Sequence, residues 1–258
     1  MKAIWPVASE TMLRLRRDKI LAPAIVISIL IILLASVTGH WAIEEFTKVL
    51  FDIGTAGFQF AGSMVAIFWG TKCISDAKRE GSLEVQLSSP ISRQQWIVGK
   101  FFGLMFTLLL VGLIIMLNFQ LVLIYWDLGL LSINQLAIFG YIFLSWLVLG
   151  SLAIWLATIT SNAIAIFSSM FLWFLGLVSN PIANTLNPDT PESTRWLIET
   201  FARLWDLQQF NLSAFAVNPN SFPTQQELIN LAIYGVCLIC VMISGGSLAF
   251  QNRDIIAD

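Results

Sequence analysis

Long apolar stretches recur along the chain, separated by short polar or charged segments, and six of them reach membrane-spanning length: residues 20–39, 53–73, 101–126, 135–157, 163–179 and 228–250. A helix needs about 20 apolar residues to cross the hydrocarbon core. The pattern therefore predicts an all-α, polytopic membrane protein whose six transmembrane helices form a single domain over residues 1–258. Residues 1–19 interleave Trp5, Met12 and Leu15 with a basic cluster ending in Arg16-Arg17. That is the make-up of an amphipathic helix lying in the membrane interface. The first apolar run is too long for a secretory signal, and Val37-Thr38-Gly39-His40-Trp41 offers no small-x-small cleavage pattern. Trp41, Trp126 and Trp173 fall at span ends, as anchors in the headgroup belt do.

Orientation follows from the basic residues, which are retained on the cytoplasmic side of short loops. With the N-terminus inside, that side carries Lys2, Arg14, Arg16, Arg17, Lys19, Lys72, Lys78, Arg79, Arg93, Lys100 and Arg253, and the other carries only Lys48, Arg195 and Arg203. Both termini are then cytoplasmic, and the 180–227 loop faces outward.

Composition agrees: 57% of residues are hydrophobic and 12% charged, about half the charge of a soluble domain. A net charge of -2 leaves no basic excess for nucleic acid. Cys73, Cys237 and Cys240 sit in apolar runs, where a thiol acts as a small hydrophobe.

Several chemistries are missing. None of the six runs contains an acidic residue to load and release a proton. His40 has no neighbouring ligand type with which to hold a metal. Neither a His-Glu-x-x-His pair nor a Gly-x-Ser-x-Gly elbow occurs. The Gly99-Lys100 pair lacks both the upstream glycine and the following hydroxyl of a phosphate loop. No catalytic, cofactor-binding or metal-binding residue is assigned, so any energy input must come from a partner. Gln59, Asn118 and Gln120 are the clearest polar residues within spans, candidates for helix-to-helix hydrogen bonds or for a pathway. Gly99-x-x-x-Gly103 permits close helix approach.

Charge concentrates in Ser75–Lys100, SDAKREGSLEVQLSSPISRQQWIVGK. Gly81 interrupts it, Ser82 can cap a short helix, and Ser88-Ser89-Pro90 ends that helix. Ser92 and Gln95 form a capping box, with Ile91 and Trp96 as its staple, so a new helix starts near Arg93. Run to Trp126, it is about 51 Å long and must project toward the cytoplasm.

This segment, Glu80-Gly81-Ser82-Leu83-Glu84 through Ser89-Pro90-Ile91-Ser92-Arg93 to Gly99-Lys100, resembles the cytoplasmic connection between the second and third helices of type-2 ABC transporter membrane subunits. The six spans, inward termini, interfacial N-terminal helix, long outer loop and the ending Ala249–Asp254 are similar to the family over nearly the whole chain. The resemblance implies that the connection seats on a separate ABC ATPase. It makes Asp76, Glu80, Gly81, Ser82, Leu83, Glu84, Ser89, Pro90 and Arg93 the coupling candidates. It also implies two ATPase copies holding ATP and Mg, a second copy of this chain or a homologous permease, and surrounding lipid. One departure stands out: the Thr158–Asn162 loop carries no charge.

In the outer loop, Thr190 can cap a helix with Pro191 at its first position, and Leu197, Phe201, Leu204 and Trp205 then recur at helical spacing. Phe201 and Trp205 are the candidate external gate. The leading expectation is an exporter permease moving a lipid, hydrophobic drug or lipid-linked molecule. The alternative is a type-2 subunit passing mechanical work to an extracytoplasmic accessory protein; an ATP-independent channel or carrier ranks below both.

Overall fold

The structure, a computed structural model, describes residues 4–16, 46–79, 92–185, 192–216 and 222–251, together with the helical positions Val26, Ile29, Leu30, Leu33, Leu34 and Val37. Its elements are α1 (Ile4–Arg16), α2 (Phe46–Arg79), α3 (Arg93–Tyr125), α4 (Ile133–Ile159), α5 (Asn162–Asn184), α6 (Glu192–Leu204) and α7 (Gln225–Gln251), with single 3-10 turns at Gln208–Phe210 and Ser213–Phe215. The architecture is all-α. Among the described residues, five helices (α2, α3, α4, α5 and α7) are long and apolar enough to cross a membrane. The span expected over 20–39 lies outside the described residues apart from the six positions named above, all of them exposed.

α2 and α3 have 34 and 33 residues, about 50 Å each at 1.5 Å per residue, so both outrun a hydrocarbon core of about 30 Å. α2 extends past the apolar run at 53–73 because polar residues at either end of it still form good helix outside lipid. α3 begins where its capping box dictates: Gln95 N donates to Ser92 Oγ at 3.3 Å, and Ser92 N to Gln95 Oε1 at 3.2 Å. Ser132 and Gln135 repeat the device at the start of α4. Between α3 and α4 the chain reverses through Asp127 and Gly129, both at positive φ.

The core lies between α2, α3 and α4. Apolar burial drives nothing between helices already in lipid, so close fit must hold them, and small residues on α2 supply it. The Trp146 ring occupies the space a side chain at Gly62 would need, with Phe58 at 4.3 Å on its flank. One turn pair further along, a Cβ on Gly70 would come within 2.7 Å of Ala153 Cβ and 2.9 Å of the Gly150 carbonyl oxygen. α7 lies along α4, with Gly235 against Leu144 and Gly245 and Gly246 against Trp155. α5 leaves Phe167, Phe171 and Phe174 exposed.

Candidate coupling site

Two regions at opposite ends of the helices hold the residues singled out by sequence. At the basic end, α2 finishes in Lys78-Arg79 and α3 starts at Arg93. Of the coupling candidates, Glu80, Gly81, Ser82, Leu83, Glu84, Ser89 and Pro90 lie outside the described residues, as does Ile91. Asp76 is half-buried within the last turns of α2, so it belongs to the helix and not to the connection.

Arg93 faces the end of α7. Its Nη1 donates to the Phe250 carbonyl at 3.0 Å, and its guanidinium lies 5.8 Å from the centroid of the Phe250 ring. A last-turn carbonyl has no partner within its own helix, so a cation there satisfies it and meets the negative end of the helix dipole. Trp96, one turn along α3, is fully buried and stacks on Phe250 with centroids 5.4 Å apart and planes at 15°. Lys100 follows, also buried, its ammonium 5.2 Å from the Trp96 ring centroid. Arg93 and Trp96 thus hold the end of α7, with Lys100 against the Trp96 ring behind them.

On α3 the Gly99-x-x-x-Gly103 pair receives α1, not another spanning helix. A Cβ on Gly99 would meet Val7 Cβ at 2.8 Å, and one on Gly103 would meet Thr11 Cβ at 2.6 Å and the Ala8 carbonyl oxygen at 2.7 Å. Val7, Ala8 and Thr11 are buried there, whereas Trp5 and Leu13 stay exposed on the other face of α1. Trp5 still touches Phe106 edge-on, 6.0 Å between centroids.

Lys78 reaches elsewhere. Its Nζ donates to the Ala157 carbonyl at 2.6 Å and to that of Thr158 at 3.1 Å, both in the last turn of α4. The Thr158–Asn162 loop, uncharged in sequence, therefore has a cation beside it that α2 supplies.

At the opposite end the segment following α6 turns back among the spans. Trp205 is buried, and its Nε1 donates to the Leu172 carbonyl at 2.8 Å, midway along α5. Leu207 N donates to the Gly176 carbonyl at 3.0 Å, and the Leu207 side chain packs on Gly176. Asp206 is buried at 1% exposure. Its carboxylate accepts from Gln208 N at 2.9 Å, Asn180 Nδ2 at 2.9 Å and Gln209 Nε2 at 3.0 Å. Tyr234 of α7 bridges the same stretch: its hydroxyl donates to the Leu204 carbonyl at 3.1 Å and accepts from Asp206 N at 3.3 Å, while its ring stacks on Phe210.

The polar candidates within the spans each have a local role, and only Gln59 meets the inward-turning segment. Gln59 accepts from Asn211 Nδ2 at 2.8 Å, tying the inserted segment to α2. Gln120 closes the α3–α4 turn, donating to the Gly129 carbonyl at 3.1 Å and accepting from Leu131 N at 3.0 Å. Asn118 donates to the Ile114 carbonyl of its own helix at 2.9 Å. Phe201 and Trp205 do not share a face: α6 ends at Leu204, and the chain beyond it carries the Trp205 ring inward while Phe201 stays exposed beside Leu197 and Leu204. Thr190 and Pro191 lie outside the described residues.

Residues 9–255 match the profile of the family described as ABC-2 family transporter protein. The chain belongs to that family. No curated protein matches it. The ABC-2 chain is accordingly a multi-pass membrane permease subunit of an ABC transporter, from a family that usually works with a separate ATPase. Neither Lys78, Asp206 nor Tyr234 stood out in the ABC-2 sequence: Lys78 and Tyr234 act on elements far along the chain, and Asp206 is buried only because its loop turns inward.

Proposed function

We propose that this permease is the membrane half of an exporter in a bacterial or archaeal inner membrane, with its basic end in the cytoplasm and the 80–91 connection seated on a separate ATPase. Two ATPase copies bind ATP and Mg, and two permease chains, identical or homologous, enclose the path. This chain hydrolyses nothing itself.

One observation carries the reading: the start of α3 is the meeting point of two other elements at the basic end. Arg93 and Trp96 hold the end of α7, and Gly99 and Gly103 seat α1. A push on the 80–91 connection enters α3 at Arg93, and stacked, close-packed contacts pass it on because packed interiors yield little. The inserted segment from Trp205 to Phe215 closes the opposite end, and the exposed apolar faces of the spans suit a lipid, a hydrophobic drug or a lipid-linked molecule as substrate.

Purification from native membranes tests this. An ATP-hydrolysing subunit should accompany the chain, and the chain alone should show no hydrolysis. Recovery without any ATPase, or hydrolysis by the isolated chain, contradicts the reading.

A further inference from the structure

We infer that α4 and α7 act together as the rod that carries movement from the cytoplasmic connection to the inserted outer segment, with Tyr234 as the positioning residue at its far end. The inference rests on the coupling reading above. It starts from the two flanks of the connection. Lys78 on one flank grips the last carbonyls of α4, and Arg93 on the other grips the last-turn carbonyl of α7. The connection is thus joined at both ends to the same helix pair.

That pair is built to move as one. Gly235, Gly245 and Gly246 bring α7 onto Leu144 and Trp155 of α4 along most of its length, and Tyr141 of α4 donates to the Leu228 carbonyl of α7 at 2.9 Å. At the far end both helices hold the inserted segment. Gln135 Nε2 of α4 donates to the Ala216 carbonyl at 3.2 Å, and Tyr234 of α7 fixes Leu204, Asp206 and Phe210. From Phe250 to Tyr234 the rod spans 16 residues of α7, about 24 Å at 1.5 Å per residue. The segment is also held by α2, which runs straight into the connection at Lys78-Arg79, through Asn211 to Gln59, and by α5 through Trp205 to Leu172 and Leu207 to Gly176.

Ser179 provides a reporter, because it is buried beneath the segment and its hydroxyl donates to the Trp205 carbonyl at 3.3 Å. Ser179→Cys, in a chain with Cys73, Cys237 and Cys240 replaced by alanine, is labelled in proteoliposomes of the permease–ATPase complex with a membrane-impermeant maleimide, nucleotide-free and after trapping with ATP and vanadate. The expected parent result is a change in labelling rate of about 5-fold or more between the states, the lower end of ordinary site-to-site coupling. Tyr234→Phe keeps the ring stack and removes the hydroxyl, so the ratio should fall toward one while nucleotide-free labelling and ATPase recovery stay at parent level. Arg93→Gln should lower the ratio likewise, Arg93→Lys should restore part of it, and the Arg93→Gln/Tyr234→Phe pair should do no more than either alone, as two breaks in one rod must. A parent-like ratio in Tyr234→Phe with the ATPase bound overturns the inference and leaves the coupling reading standing. Equal acceleration in both states overturns it too, since Tyr234 would then only pack the segment. Failure to recover any ATPase with the parent overturns both.

Discussion

Lys78 donates to the Ala157 carbonyl at 2.6 Å although the two lie 79 residues apart. The bond joins the end of one spanning helix to the end of another, and it places a cation beside the uncharged Thr158–Asn162 loop. A charge-assisted bond to a helix C-terminus is worth about 1–2 kcal/mol where partly screened. Lys78→Gln should therefore lower the thermal midpoint of the detergent-solubilised chain and weaken substrate stimulation of ATP hydrolysis. Lys78→Arg should keep most of both. A Lys78→Gln chain with parent midpoint and parent stimulation would remove this contact from the account.

Gly99 and Gly103 lead to a second expectation. A methyl group on either would overlap α1, with Thr11 Cβ and the Ala8 carbonyl oxygen nearest Gly103. Gly103→Leu should displace α1 while leaving α3 inserted, because the apolar run of α3 becomes more hydrophobic and is not broken. Thiol labelling of Ala8→Cys measures it: slow in the parent, where position 8 is buried, and fast in the Gly103→Leu chain. Equal rates would mean that α1 binds elsewhere.

The buried carboxylate of Asp206 accepts from three donors, on Gln208, Asn180 and Gln209. Asp206→Ala removes three bonds to a charged acceptor, but their donors sit on exposed residues that water can reach, so the loss is about 1–3 kcal/mol in all, and Asp206→Asn turns an NH2 group toward Asn180 or Gln209. Both variants should unfold earlier in a denaturant titration, alanine by the larger margin, with the inserted segment becoming accessible to protease first. A parent-like titration for Asp206→Ala would show the segment to be held without it.

Much of this fold was legible. Capping residues and apolar run length are local signals, so the Ser92–Gln95 box and the start of α3 could be read directly, as could the amphipathic character of α1 and α6. What pairs with what was not local. Gln59 and Asn211 lie 152 positions apart, and nothing in either neighbourhood marks the other. Asp206 sits in a polar loop, where a carboxylate is ordinarily solvated, so its burial could not be seen without the inward turn of the chain after Leu204. The same turn separates Trp205 from the stripe that helical spacing assigned it to. Arg93 was a coupling candidate through the family resemblance of its segment, and its grip on Phe250 depends on the end of α7 arriving beside it.

Phe201 and Trp205 should consequently differ when each is replaced by alanine. Trp205 is buried with its indole N–H bonded, and loss of a buried Trp costs about 3–5 kcal/mol, so Trp205→Ala should destabilise the chain strongly. Phe201 is 38% exposed, and Phe201→Ala should leave stability near that of the parent while altering substrate-stimulated hydrolysis. Equal destabilisation by both would restore them to one packed surface.

The central claim, that the 80–91 connection meets an ATPase, is tested most directly by crosslinking. A cysteine at Ser82, in a chain with Cys73, Cys237 and Cys240 replaced by alanine, is joined to neighbouring protein with a short bifunctional maleimide in native inside-out membranes. The account predicts a crosslinked product containing an ATP-hydrolysing subunit, its yield changing when ATP and vanadate trap the complex. A product formed only from the opposite membrane face, or one that contains no ATPase in either state, would contradict it.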